Sequence, residues 1–148
     1  MDNIDRKIVR ILQENSKTQY HKISDKLKLA PSTIHFRIKK MLKEGIIERF
    51  SAVLNPEKAG YPSTAWIGLS ADPRKMDAVA KKLARFDEVQ LVCTATGDHD
   101  LLIQVIARNE KDLWRFINKR IKTMAGLNKG YDVSTFLDVY KRTSIIKL

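Results

Sequence analysis

The stretch "LAPSTIHFRIKKMLKEGII", residues 29–47, decides the first half of the fold. Pro31 suits the first turn of a helix, where its missing N–H is no loss. Ile34, Ile38, Met41 and Leu42 recur at helical spacing and predict one buried face. Gly45 ends that helix as a left-handed cap residue. The remaining residues, Ser32, Thr33, His35, Phe36, Arg37, Lys39, Lys40 and Lys43, point outward. Upstream, "TQYHKISDKLKL" (18–29) continues the apolar spacing at Ile23 and Leu27. It predicts a short helix for which Thr18 is better capping chemistry than Gln19. Before it, Ile4, Ile8, Ile11 and Leu12 share one face of a further helix. Asp2 is its cap, Asp5 lies near its positive end, and Asn15–Ser16 mark its stop. A short helix, a tight turn and a helix that opens with small polar residues form a helix-turn-helix pattern.

In that pattern the third helix enters the major groove of double-stranded DNA. Ser32 and Thr33 are short donors suited to phosphates or base edges. Arg37 can offer a bidentate fork to a guanine. Lys39, Lys40 and Lys43 suit phosphate neutralisation, which adds affinity but little sequence information. Phe36 lies off the buried stripe and fits either a thymine methyl or packing beneath the helix. Residues 1–55 hold 12 basic against 6 acidic residues, and the third helix carries its surplus on one side. That asymmetry favours nucleic-acid binding over a plain solvated face. Tyr20 and His21 suit backbone phosphates no better than an ordinary surface.

Beyond Gly45, Ile47 to Leu54 alternates loosely and predicts a strand, followed by breakers at Asn55–Pro56 and Gly60–Pro62. The expected organisation is a helix-turn-helix domain over 1–46, a connection over 47–62 and a second domain over 63–148. In the second domain "STAWIGLSA" (63–71) predicts a strand, and Met76, Val79, Ala80 and Leu83 a helix. "VQLVCTAT" and "DLLIQVIA" predict two strands joined at Gly97. Leu113, Phe116, Ile117, Ile121 and Met124 mark a helix that starts near Asn109, and "DVSTFLDVY" (132–140) predicts a last strand. Strand, helix, strand, strand, helix, strand is the split βαβ, ferredoxin-like order, an antiparallel sheet with both helices on one face. The fold class is α+β. Ala65, Ile67 and Leu69 should face the helices while Trp66 points away. Val133, Leu137 and Val139 should oppose Phe136 and Tyr140, and Leu101, Ile103 and Val105 should oppose Leu102 and Ile106. Both sheet faces are therefore apolar, and a second subunit is the expected cover for the face without helices.

The 148 residues carry 28 basic and 17 acidic side chains, a net charge of +11, which points to a polyanion or a membrane surface as partner. No apolar run reaches the length of a membrane span, and the charged start "MDNIDRKIVR" lacks a signal-peptide core. A cytoplasmic protein with no membrane partner is expected. The single cysteine, Cys93, sits in an apolar stretch and excludes an internal disulfide and a cysteine-rich zinc site.

"TATGDHDLLIQV" (94–105) sets two acids and a histidine behind a glycine. His21 and His35 lie in the other domain and no nucleophile accompanies the loop, so neither a metal, a cofactor nor an enzyme activity is expected. Gly97 supplies the positive φ of a short hairpin connection. Such a turn leaves amides for a carboxylate, while Asp98 or Asp100 can hold an ammonium. An amino acid presents both groups.

"DRKIVRILQENSK", "LAPSTIHFRIKKMLKEGII", "NPEKAGY", "GDHDLLIQV" and "VSTFLDVYK" come in the order and spacing of the Lrp/AsnC, or feast/famine, transcription regulators, which the chain resembles over nearly its whole length. The resemblance implies a winged or plain helix-turn-helix and a C-terminal domain that dimerises, can assemble to an octamer, and binds amino acids or related small molecules between dimers. It places Gly97, Asp98 and Asp100 at the effector site, with Thr96 and His99 as neighbours and Ser134 and Thr135 reaching in from the last strand. The chain departs from the family at Ala30, commonly a capping serine, a loss of about 1 kcal/mol. It departs also at Gln19, commonly Ser or Thr, so that the second helix is expected to start at Thr18. The implied function is a sequence-specific regulator whose assembly and DNA binding respond to an effector. The rivals are an enzyme like the sirohaem decarboxylases, which resemble this architecture, and a low-specificity architectural DNA-binding protein.

Overall fold

Helix α1 (Asn3–Glu14) begins where the sequence offers a reciprocal cap. The Asp2 carboxylate accepts from the N–H groups of Ile4 and Asp5, both at 2.8 Å, and Asp5 accepts from the Asp2 N–H at 3.0 Å. Helix α2 (Tyr20–Leu27) starts at Gln19, not Thr18, and has no side-chain cap. Thr18 instead donates its hydroxyl to the Asn15 carbonyl at 2.8 Å and so closes the preceding turn. Lys28 takes the left-handed conformation (φ 55°) that ends α2. Helix α3 (Pro31–Lys43) follows after a three-residue turn, with Pro31 in its first turn, Ala30 as an uncapped N-cap and Gly45 left-handed beyond its end. Two missing caps weaken α2 and α3 by about 1 kcal/mol each. Burial of Ile34, Ile38 and Met41 against Ile8, Leu12 and Ile23 outweighs that loss, at roughly 1.5–3 kcal/mol for each large apolar side chain. Leu42, expected on this buried face, is exposed. The stripe runs i, i+4, i+7, and Leu42, at i+8, stands about 40° beyond its edge at Ile38.

The computed structural model describes residues 1–148, which form two compact units, 1–53 with 141–148, and 54–140. The last eight residues, expected with the second domain, lie in the first unit. There the Gln13 amide donates to the Ile146 carbonyl at 3.0 Å and accepts its N–H at 2.7 Å. The strand expected over Ile47–Leu54 is absent. That segment takes no regular secondary structure and has no ladder partner within the chain.

In the second unit β1 (Ser63–Ala71), α4 (Met76–Leu83), β2 (Val89–Thr94), β3 (Leu101–Ala107), α5 (Glu110–Phe116) and β4 (Leu127–Thr135) follow the ferredoxin-like order. The sheet order is β2-β3-β1-β4, antiparallel throughout. Asn109 caps α5 by accepting from the Asp112 N–H, and the helix widens into a π turn over Ile117–Ile121. Ala65, Ile67 and Leu69 of β1 and Leu101, Ile103 and Val105 of β3 are buried against Val79, Leu83, Leu113, Phe116, Ile117 and Ile121. Both helices thus cover one face. On the other, Trp66, Leu102 and Ile106 stay half-exposed.

The last strand differs from expectation. It begins at Leu127 and ends at Thr135, and Leu137 and Tyr140 are more than nine-tenths exposed. Leu137 and Val139 therefore do not face the helices. Thr135 pairs with Ala65, and the next ladder bond is the Phe136 N–H to the Thr64 carbonyl at 2.8 Å. Continuing would bring β4 to Pro62, which has no N–H to give.

Candidate functional site

Six of the eight outward candidates on α3 are exposed: Ser32, His35, Phe36, Lys39, Lys40 and Lys43. Phe36 is 68% exposed, which excludes packing beneath the helix. His35 lies against the Tyr20 ring, centroids 5.7 Å apart, so the second helix also contributes an aromatic side chain here. Lys40 approaches Glu44 at 3.8 Å, while Lys39 and Lys43 make no ion pair.

Thr33 and Arg37 are half-buried at the edge of this face. Arg37 corrects the sequence expectation of a free fork. Its Nη1 donates to Asp2 Oδ2 at 2.6 Å and to Asp5 Oδ1 at 2.9 Å. It stands beside the buried stripe of Ile34, Ile38 and Met41, where the first turn of α1 presents two carboxylates. The same carboxylates cap α1, so one cluster ties the start of α1 to the middle of α3. The Asp5 N–H, and next the Arg37 guanidinium, hold the Asp2 carboxyl at about 2. Asp2, and then Asp5, push the Arg37 guanidinium above its ordinary value. The sequence carried no signal for this cluster, because the reciprocal cap of α1 already accounts for both aspartates and Arg37 lies more than thirty residues further on.

In the second unit Thr96, Gly97 and Asp98 form an exposed turn between β2 and β3, with Gly97 at φ 118°. Asp100 is engaged by the fold: its Oδ2 accepts from the Ala71 N–H at 2.9 Å and its own N–H donates to the Leu69 carbonyl at 3.1 Å. These bonds dock the turn on β1. His99 lies flat on Gly68 of β1, and a Cβ built there would sit 2.2 Å from His99 Cδ2. Its Nε2 reaches Asp132 Oδ2 of β4 at 3.0 Å, whereas its Nδ1 is buried without a partner. Gly68 and Asp132 were absent from the sequence-based candidates; no motif announces a contact between strands this far apart in the chain.

Ser134 and Thr135 are both exposed but occupy consecutive positions of β4 and so face opposite sides of the sheet. Ser134 stands opposite Trp66 on the face without helices, two residues from Asp132, while Thr135 stands opposite Ala65 on the other. The turn therefore meets β4 at Asp132 and on Ser134's side. No three His, Cys, Asp or Glu side chains converge as a metal would need, and no helix is long and apolar enough to cross a membrane.

Comparison with known proteins falls on the same two units. Residues 1–48 match the model of a winged helix-turn-helix DNA-binding family, and residues 64–146 that of the Lrp/AsnC ligand binding domain. The chain is 38% identical to the HTH-type transcriptional regulator PH0140 of Pyrococcus horikoshii, covering 95% of this chain and 89% of that one. It is 36% identical to the HTH-type transcriptional regulator FL11 of Pyrococcus furiosus, covering 97% and 94%. Among solved structures, AsnC of E. coli superposes with a TM-score of 0.90 at 27% identity, covering 98% of this chain and 97% of that one. The transcriptional regulator NMB0573 of Neisseria meningitidis, solved with L-Met, gives 0.89 at 25% identity, covering 99% and 96%.

Proposed function

The chain belongs to the Lrp/AsnC family, as a DNA-binding transcriptional regulator with a ligand-binding domain, and from that membership we propose how its two surfaces divide the work. Helix α3 enters the major groove. Ser32, His35 and Phe36 address base edges and sugar, with Thr33 at the rim, and Lys39, Lys40 and Lys43 neutralise phosphates. Arg37 acts as a strut, holding α3 at a fixed angle to α1. The observation that carries this reading is the split of the basic side chains on one helix: the lysines face solvent while Arg37 is held by Asp2 and Asp5. The uncapped first turn of α3 leaves the Ser32 N–H for a DNA phosphate to cap.

The second unit takes an amino acid at the turn of Thr96, Gly97, Asp98, His99 and Asp100, with Ser134 beside it. The free turn amides receive the carboxylate, and Asp98 or the uncommitted oxygen of Asp100 receives the ammonium. The L-Met complex of the N. meningitidis neighbour supports that ligand class. The apolar sheet face around Trp66, Leu102 and Ile106 packs against a second copy, and the ligand biases assembly and thereby which half-sites two heads reach together.

A footprint on the DNA upstream of this protein's own gene, with and without a panel of amino acids, tests the whole. Protected segments spaced by one helical turn or a multiple are expected, with their extent changed by one amino acid. Protection and oligomeric state insensitive to every amino acid would overturn the effector proposal. Equal affinity for random DNA at matched salt would leave a low-specificity DNA-coating protein instead.

A further inference from the structure

A groove lies at the opposite end of the sheet from the glycine turn. β3 ends at Ala107, β2 begins at Val89, and beside them α5 passes into its π turn. Here lies a groove of about 760 Å³, within the range of roughly 300–1,000 Å³ usual for small-molecule sites. Its floor is apolar, formed by Ala107 and Phe116.

The charges along its walls are exposed and of both signs. Asp87 and Glu88, from the turn before β2, contribute carboxylates, and Arg108, Lys119 and Arg120 contribute cations. None of these five takes part in an ion pair, although all line one groove. The remaining charged lining residues do pair: Arg115 closes on Asp112, which is tied to the Asn109 cap. Arg120 is steadied from another side, its guanidinium 5.7 Å from the centre of the Phe86 ring. Opposite charges that share a groove yet stay apart leave room for a molecule that spans them. Such a molecule carries an ammonium for the acidic wall and carboxylates for the cationic one. Three free cations against two free acids favour a ligand with one negative charge more than positive. Asp87 and Glu88 disfavour an extended polyanion such as DNA, which would meet them as like charges.

We propose that this groove binds a small zwitterion with a second acidic group, the chemistry of a dicarboxylic amino acid, at a site separate from the glycine turn. The inference rests on the reading of this unit as ligand-binding, but not on where the first ligand sits. Lys119 and Arg108 hold the carboxylates, and Glu88 holds the ammonium.

The test is calorimetric titration of the full chain with L-glutamate and, separately, inorganic phosphate. Lys119→Glu, Glu88→Gln and Asp98→Asn are the variants; all three positions are exposed, so folding is not at stake. Saturable glutamate binding is expected, weakened about tenfold or more by Lys119→Glu and less by Glu88→Gln, and this binding event persists in Asp98→Asn even where that variant abolishes a separate event at the glycine turn. No saturable binding overturns the proposal. So does binding lost in Asp98→Asn and kept in Lys119→Glu, a result that would move the ligand to the glycine turn and leave the family reading intact. Phosphate binding as tight as glutamate, indifferent to Glu88→Gln, removes the zwitterion and leaves a plain anion.

Discussion

The charge cluster of the head and the histidine contact of the body are built in opposite ways. In the head every group is used more than once. Asp2 caps two N–H groups and accepts from Arg37; Asp5 accepts from the Asp2 N–H and from Arg37. In the body His99 has one polar partner, Asp132, whose side chain is 80% exposed, and its other ring nitrogen is buried with none. An unmet buried polar atom costs about 1–3 kcal/mol. A DNA reader gains from a fixed helix angle, because groove contacts fail with small misplacements. A ligand loop gains from a group still lacking a partner, because a ligand that supplies it is favoured over the empty state. The molecule satisfies its polar groups in the cluster that ties α1 to α3 and leaves one unsatisfied in the loop proposed to take the ligand.

The largest effect is expected where the body has no slack. Gly68→Ala places a methyl 2.2 Å from His99 Cδ2, with the Nε2 and Cγ atoms scarcely further. The ring must leave the sheet and give up Asp132. A loss of about 1–3 kcal/mol is expected, a fall of several degrees in melting temperature. Both tryptophans, Trp66 and Trp114, lie in this unit, so tryptophan fluorescence follows it selectively. Adding His99→Ala should restore most of the loss. A double variant as unstable as Gly68→Ala would show that the ring is not what the methyl meets.

How much of this was legible beforehand follows the range of the interactions. Periodicity and capping chemistry act within one turn, so α1, α3 and the extents of β1 and α4 could be seen in the chain. Thr18 misled because its hydroxyl has a choice between capping α2 and closing the turn at Asn15, and that choice is tertiary. β4 misled because alternation continues through Tyr140 although Pro62 ends the pairing on the neighbouring strand. On the reading face, exposure of the lysines followed from the apolar stripe alone. Arg37 did not, since its partners lie more than thirty residues away. Likewise the glycine turn was visible, but its docking on Ala71 and Asp132 was not.

A finer contrast separates strut from reader on α3 itself. A lysine that neutralises a phosphate releases a counterion, so log K against log salt changes slope by about 0.9 when it is removed. Lys39→Ala should lower DNA affinity and flatten the salt slope by about that amount. Arg37→Ala should lower affinity with the slope unchanged, because its charge is already matched by Asp2 and Asp5 within the protein. It should also lower the melting temperature of the head, which Lys39→Ala should not. Equal flattening by the two variants would return Arg37 to the set of DNA-contacting residues.

The smallest effect concerns acid. The folded-state pKa of Asp2 is lowered, to about 2, from an ordinary value of 3.8. A lowered carboxyl stabilises the fold in its ionised form. Its contribution is therefore complete above about pH 4 and disappears as pH falls through about 2. Asp2 is exposed, and water and salt screen its pairing with Arg37, so the amplitude is small. Asp2→Asn should lower the head's thermal stability, followed by helical circular dichroism, by a constant amount at neutral pH, and the gap from the unaltered chain should close near pH 2. The body supplies the control, since Asp2→Asn should leave its tryptophan-monitored melting unchanged throughout. A gap that persisted undiminished at pH 2 would mean that Asp2 acts through shape and hydrogen bonding alone, and that the ionic half of the cluster contributes nothing to holding α1 on α3.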